Sequence, residues 1–167
     1  MSSEPPHPPR ARYSPWSRGE SGPPAVTFRR PLKDVRPRAL HRFARSLQRE
    51  VARGRSFDCL ITGDREMRRL NRDFRGQDHP TDVLSFPAIG AAAPYLGDLA
   101  ISIQRARAQA RRFGHEVEEE IRILMLHGLL HLLGMDHENG DPRMHRAERR
   151  WRLRLGLVPG LIERVQS

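Results

Sequence analysis

The sequence predicts an α+β domain, a single mixed sheet of about four strands packed with helices. Three observations lead there. Short β-prone apolar runs are interleaved with segments whose apolar residues recur at helical spacing. Helical patterns dominate the C-terminal half. The length of 167 residues suffices for one core plus a tail and is too short for two full-sized domains.

Each element follows from local chemistry. Residues 1–24 hold seven of the fourteen prolines and no periodic apolar pattern, so they are expected to form a disordered Pro-rich arm ahead of a domain at 25–167. Ala25 to Arg29 is a short β-prone run. From Pro37 to Val51 a stripe of Leu40, Phe43, Ala44, Leu47 and Val51 reads as a helix with proline at its start. Phe57 to Ile61 reads as a second strand, after which Asp64 can cap a helix that turns Met67, Leu70 and Phe74 inward. Arg75 to Thr81 is polar and carries Gly and Pro, hence a loop. Val83 to Phe86 and Leu99 to Ile103 are two further strands, with an Ala/Gly/Pro-rich loop from Pro87 to Asp98 between them. A helix from Gln104 to Phe113 stops at Gly114. The next, from about Val117 to Leu133, opens with Glu118, Glu119 and Glu120, which suit the positive end of a helix dipole, and closes at Gly134. Pro142 starts a last amphipathic helix through Trp151 and Leu155.

Composition narrows the function classes. The longest nearly apolar stretch, Ile123 to Leu133, has eleven residues and two histidines, whereas a spanning helix needs about 20 apolar residues; no membrane association is expected. The N-terminus lacks the apolar centre of a secretory signal, and a cytoplasmic location is expected. One cysteine, Cys59, permits no internal disulfide, so any metal must use His, Asp or Glu. The formal charge is +10, and +9 of it lies in residues 1–55, with 13 basic against 4 acidic side chains. Such a segment favours polyanions such as RNA, with Arg36, Arg38, Arg42, Arg45 and Arg49 around the first helix as candidate contacts. Because 29 of the 30 basic residues are Arg, codon bias explains the charge equally well.

The segment LMLHGLLHLLGMDHENGD carries the chemistry. His127 and His131 are four apart, so on a helix they rise about 6 Å along one face and point the same way. Gly134 lets the chain reverse and return His137 to the same place. Three imidazoles with an open fourth position suit a catalytic zinc, so one zinc per chain is expected, held by His127, His131 and His137 on the central helix in a zincin-like geometry. A single buried histidine would more often be a hydrogen-bonded core residue, but two within an apolar run need partners. The spacing H-x-x-x-H-x-x-G-x-x-H is that of the metzincin proteases, except that Gly128 stands where their general-base Glu follows the first ligand. A peptidase-like hydrolase is one reading, and a different hydrolase is another.

The same stretch resembles the H-G-x-L-H-L-x-G-x-D-H signature of the YbeY family of rRNA maturation factors. Leu70-Asn71 with Phe74-Arg75-Gly76, Thr81 to Pro87 (TDVLSFP) and Leu96 to Ser102 (LGDLAIS) resemble further blocks of that family, in order, over roughly residues 57–137. Met135 replaces the usual Tyr. The resemblance implies a metal-dependent endoribonuclease specific for single-stranded RNA, acting at the 3′ end of small-subunit rRNA and in ribosome quality control, with the small ribosomal subunit and its assembly factors as partners. It also implies that His127, His131 and His137 are the zinc ligands and that Arg75 is a basic residue of the cleft.

Phosphodiester cleavage needs a nucleophile, stabilisation of an anionic phosphorane and help for the leaving oxygen. A three-histidine zinc can lower the pKa of water to about 7 or polarise a phosphoryl oxygen, which gives its ligand His127 a catalytic part. Arg75 can supply a positive fork. The nucleophile is open between metal-activated water and an RNA 2′-hydroxyl. Asp82, Asp98 and Asp136 could each orient a ligand imidazole or merely form turns. A noncatalytic rRNA-binding assembly factor with a structural zinc is the remaining alternative.

Overall fold

The computed structural model describes residues 22–88, 94–136 and 142–158. The arm expected at 1–24 lies outside them up to residue 21, and its last residues are anchored, the Gly22 carbonyl accepting a hydrogen bond of 2.8 Å from Gln48 Nε2. In chain order the elements are β1 (Val26–Phe28), α1 (Pro37–Glu50), β2 (Ser56–Thr62), α2 (Asp64–Arg75), β3 (Val83–Pro87), β4 (Tyr95–Ser102), α3 (Ile103–Phe113), α4 (Val117–Leu132) and α5 (Pro142–Leu155). The strands form one four-stranded mixed sheet in the order β1-β2-β4-β3. β1, β2 and β4 are parallel, and β3 lies antiparallel at the edge, with Leu84 opposite Ala100 and Pro87 opposite Gly97.

Alternation along the strands divides the core into two layers. On one face Leu60, Leu84 and Ala100 meet Met67 and Leu70 of α2, with Phe74 and Phe86 closing the edge. On the other, Cys59, Ile61, Leu99 and Ile101 meet α1 through Leu40, Ala44 and Leu47, α3 through Ala106, α5 through Met144 and Ala147, and most of α4. The middle strand β2 is buried at all seven positions, as expected of a parallel strand covered on both faces. Burial pushes the Cys59 thiol far up, with Asp58 and Asp98 adding to the shift, which fits an inert packing residue.

Several boundaries differ from expectation, Ile103 for instance opening α3 and not closing β4, and three of the differences have a clear physical reason. β4 begins at Tyr95, whereas the sequence suggested a loop as far as Asp98. Gly97 explains the misreading, because its φ of +141° is a glycine conformation and an added Cβ would lie 2.2 Å from the Phe86 carbonyl oxygen; the glycine lets β3 approach. Asp64 is the first helical residue of α2 and not its cap. Gly63 occupies the cap position, and the Asp64 carboxylate accepts 2.6 Å from Ser102 Oγ. Arg75 ends α2 and is not part of the following loop, Gly76 taking the left-handed capping position at φ +69°. No helix among the described residues is long and apolar enough to cross a membrane.

Candidate metal centre

α4 is buried at twelve of its sixteen positions. Its start is tied down by charge. Glu118 accepts from the Arg36 backbone N–H and receives the Arg36 guanidinium in a fork, Nε at 3.1 Å and Nη2 at 3.0 Å, which holds its carboxyl below the usual range. Arg36, a candidate RNA contact by composition, joins α1 to α4 through this pair while its side chain stays largely exposed. The buried Glu120 carboxylate pairs with His115 Nε2 at 2.6 Å.

Farther along α4, His127 and His131 meet as their spacing predicts. Their Nε2 atoms are 3.2 Å apart and their rings cross at 73° with centroids 4.8 Å apart. On its other side His127 Nδ1 lies 3.0 Å from Glu148 Oε2 of α5, with the glutamate 1% exposed. With the carboxylate accepting from Nδ1–H, the tautomer this contact favours turns the His127 Nε2 lone pair toward His131. Two nitrogens on one tetrahedral zinc, each at about 2.0–2.1 Å, lie about 3.3 Å apart. The observed separation therefore fits a shared ion, and the carboxylate–imidazole pair is the outer support that metal-bound histidines use. The second carboxylate oxygen, Glu148 Oε1, is buried without a hydrogen bond among the described residues.

The helix then ends in a Schellman turn, in which Gly134 at φ +88° donates to the His131 carbonyl at 2.9 Å and Met135 donates to Leu130 at 3.1 Å. This is the chain reversal that Gly134 suggested. It leads toward His137, which lies outside the described residues; among those residues no group of three potential ligands forms.

Gly128 sits against the sheet. A Cβ there would fall 2.8 Å from Leu99 Cδ2 and 3.1 Å from Val83 Cγ2, and Ser85 Oγ donates to the Gly128 carbonyl at 3.0 Å. The position that carries the base in metzincins thus faces packed strands, and Ser85 is spent on the helix backbone. Of the three aspartates weighed as imidazole supports, Asp82 accepts from Val83 N–H at 2.8 Å and Gln109 Nε2 at 3.1 Å, and Asp98 accepts from the Tyr95 hydroxyl. Asp136 is exposed. Glu148, which the sequence alone did not point to, is the carboxylate in contact with His127. Its signal was a glutamate among the inward positions Met144, Ala147 and Trp151 of α5.

Arg75 is exposed and has no hydrogen bond or ion pair among the described residues. Beside it Phe74 packs edge-on to Phe86 at 5.1 Å, and Phe86 lies opposite Asp98. Leu132 of α4 lies against Gly97, on the same stretch of β4. α2 and α4 therefore carry Arg75 and the histidine pair to the same end of β4, from opposite faces of the sheet.

Fold and site define an α+β domain with a carboxylate-backed histidine pair on its central helix. The family model described as endoribonuclease YbeY matches residues 29–155, and the chain belongs to that family. A protein named endoribonuclease YbeY from Solibacter usitatus is 66% identical over 143 residues, covering 86% of this chain and 95% of the relative. Its namesake from Koribacter versatilis is 41% identical over 142 residues, covering 84% and 91%. The solution structure of a Thermotoga maritima protein superposes with a TM-score of 0.55 at 26% identity, over 77% of this chain and 85% of that one.

Proposed function

We propose that this chain is a zinc-dependent endoribonuclease specific for single-stranded RNA, acting in the cytoplasm on the 3′ end of small-subunit rRNA and in ribosome quality control. The carrying observation is the His127–His131 pair, with facing nitrogens 3.2 Å apart and Glu148 behind the first ring. Family membership and relatives named as endoribonucleases support the reaction class.

In this reading His127, His131 and His137 hold one zinc. When bound, the ion supplies Lewis acidity toward a phosphoryl oxygen and lowers the pKa of water. Glu148 fixes the His127 tautomer, so that Nε2 and not Nδ1 is the donor nitrogen. Arg75 holds the non-bridging oxygens of the scissile phosphate in a bidentate fork, most strongly when charge accumulates on them. Gly128 brings α4 onto the sheet and leaves no room for a glutamate base, which favours a nuclease over a peptidase.

The test is cleavage of a single-stranded fragment from the small-subunit rRNA 3′ end, the same fragment annealed to its complement, and an unstructured protein substrate, each with chelator-stripped and zinc-restored enzyme. Zinc-dependent cutting of the single strand alone is expected. Cutting of the protein substrate would favour the peptidase reading, and zinc binding without any cutting would favour a structural zinc.

A further inference from the structure

At the other end of β4 the structure holds a second, strongly cationic feature. A cleft of about 1010 Å³ opens where β2 and β4 run into α2 and α3, at Thr62, Gly63 and Ile103. From Gly97, beside the end of α4, to Ser102 the strand advances roughly 16 Å, so this cleft is separate from the histidine pair. Seven arginines line it: Arg29 and Arg30 after β1, Arg65, Arg68, Arg69 and Arg72 from α2, and Arg107 from α3. Glu66 is the lining carboxylate, shared by Arg29 at 2.9 Å and Arg69 at 2.9 Å. Asp34, Asp73 and Asp78 pair with Arg107, Arg72 and Arg68 without lining the cleft. Even with these counted, a formal excess of three positive charges remains, and Arg30 and Arg65 have no ion-pair partner among the described residues.

The helix termini there are already occupied. Asp64 N–H donates to Gln104 Oε1 at 2.6 Å, and Ser102 Oγ caps α3 by accepting from Arg105 N–H at 3.2 Å. The attraction for anions therefore resides in side chains. Arg65, Arg68, Arg69 and Arg72 follow helical spacing and are all exposed, forming a stripe about 10 Å long. Continued by Arg75 one turn on, the stripe runs from the cleft to the end of β4 where the histidine pair lies. So many guanidinium groups in a row exceed what one phosphate can use and suit a polyanion. No aromatic side chain lines the cleft among the described residues, so no stacking platform for bases is present.

We propose that the cleft and the arginine face of α2 bind the sugar–phosphate backbone of single-stranded RNA outside the histidine site, without regard to base sequence, and guide the strand toward Arg75. The direction of guidance rests on the nuclease reading, whereas the binding itself does not. RNA backbone is favoured over a small phosphorylated ligand by the length of the stripe and by the steep, counterion-driven affinity that such a row confers.

The test uses 2′-O-methyl oligouridines of 5 and 20 nucleotides, binding followed by fluorescence anisotropy from 50 to 300 mM salt and integrity checked on a gel. The triple variant Arg65→Gln/Arg68→Gln/Arg72→Gln is compared with wild type and with Arg111→Gln/Arg112→Gln/Arg149→Gln, which removes equal charge from exposed positions of α3 and α5. The replaced α2 side chains make at most exposed ion pairs, so thermal midpoints are expected to stay close to wild type. For the 20-mer the α2 variant should lose at least about tenfold in affinity and about 2 in the slope of log affinity against log salt, near 0.7 per lost phosphate contact. The 5-mer, long enough to cover the stripe, should weaken in the same direction, and either oligomer should change less than about threefold with the α3/α5 variant. Equal losses in the two variants would overturn the proposal in favour of diffuse charge, and unchanged 20-mer affinity in a folded α2 variant would overturn it outright. Tighter binding of a 20-base-pair duplex than of the 20-mer would overturn the single-strand assignment. Cleavage of unmodified RNA, assayed separately, reports on the nuclease reading alone, so the two can fail independently.

Discussion

His127 Nδ1 and Glu148 Oε2 lie 3.0 Å apart between two helices, with the glutamate almost fully enclosed. Enclosure deprives the pair of water, so the contact sets the orientation of the imidazole ring. Glu148 is accordingly a positioning residue for the proposed metal. Glu148→Gln should weaken zinc affinity by about 10–100-fold, read by competition with a chromophoric chelator. A merely structural role would lower the thermal midpoint of the metal-free protein and leave the affinity of the folded fraction intact.

Gly128 is expected to lose stability with any added side chain. Alanine would gain up to about 1 kcal/mol of helix propensity, but its Cβ would press on Leu99 and Val83 inside a filled core, at a cost of about 1–3 kcal/mol. A net loss of about 1 kcal/mol in denaturant unfolding is the expected outcome. Gly128→Glu, which restores the metzincin residue, should unfold the domain and not create a peptidase. A folded Gly128→Glu protein would show that α4 stands farther from the sheet.

Glu118 and Arg36 predict the acid limb of stability. The folded carboxyl lies below its ordinary value because the Arg36 guanidinium hydrogen-bonds it, against the opposing effect of burial. Its stabilisation is therefore fully present above the unfolded-state value near pH 4.3 and lost as pH falls through the lower folded value. Because the Arg36 partner is solvent-exposed, Glu118→Gln should lower stability at pH 7 by only about 0.2–1 kcal/mol and flatten the fall of the thermal midpoint below pH 5. An acid limb identical to wild type would assign the acid sensitivity to other carboxylates.

Arg75 separates phosphoryl stabilisation from folding. If it binds the crowded phosphate more tightly in the transition state, Arg75→Ala should lower single-turnover cleavage by about 10²–10³-fold, or about 2.7–4 kcal/mol, with zinc content and thermal midpoint unchanged. Arg75→Lys should recover only part, since an ammonium keeps charge but loses the fork. Normal cleavage by Arg75→Ala would remove its assigned role.

Much of the fold was legible because its boundaries are written in local chemistry. Pro37 and Pro142 start helices, Gly114 and Gly134 end them, and the inward faces of α1 and α2 follow from Leu40, Leu47, Met67 and Leu70. The beginning of β4 was hidden because Tyr95-Leu96-Gly97-Asp98 reads as loop until the approach of Phe86 gives Gly97 its reason. At the site, the histidine pair followed from a spacing of four. Its support did not, since Glu148 lies 21 residues away on another helix, and only tertiary packing joins them. The arginine face of α2 was hidden in a similar way. The sum over residues 64–75 is small because acids accompany the arginines, yet the helix sorts Arg65, Arg68, Arg69 and Arg72 onto one exposed face.

If a metal held through His127 and His131 performs RNA cleavage, zinc content and single-turnover cleavage of a single-stranded rRNA fragment must change together when they are measured on the same samples of wild type and His131→Ala, with folding verified by thermal melting. About one zinc per chain is expected in wild type, and in a folded His131→Ala protein the joint loss of zinc and cleavage. Cleavage at the wild-type rate by a zinc-free His131→Ala protein would show that the metal does not carry the reaction.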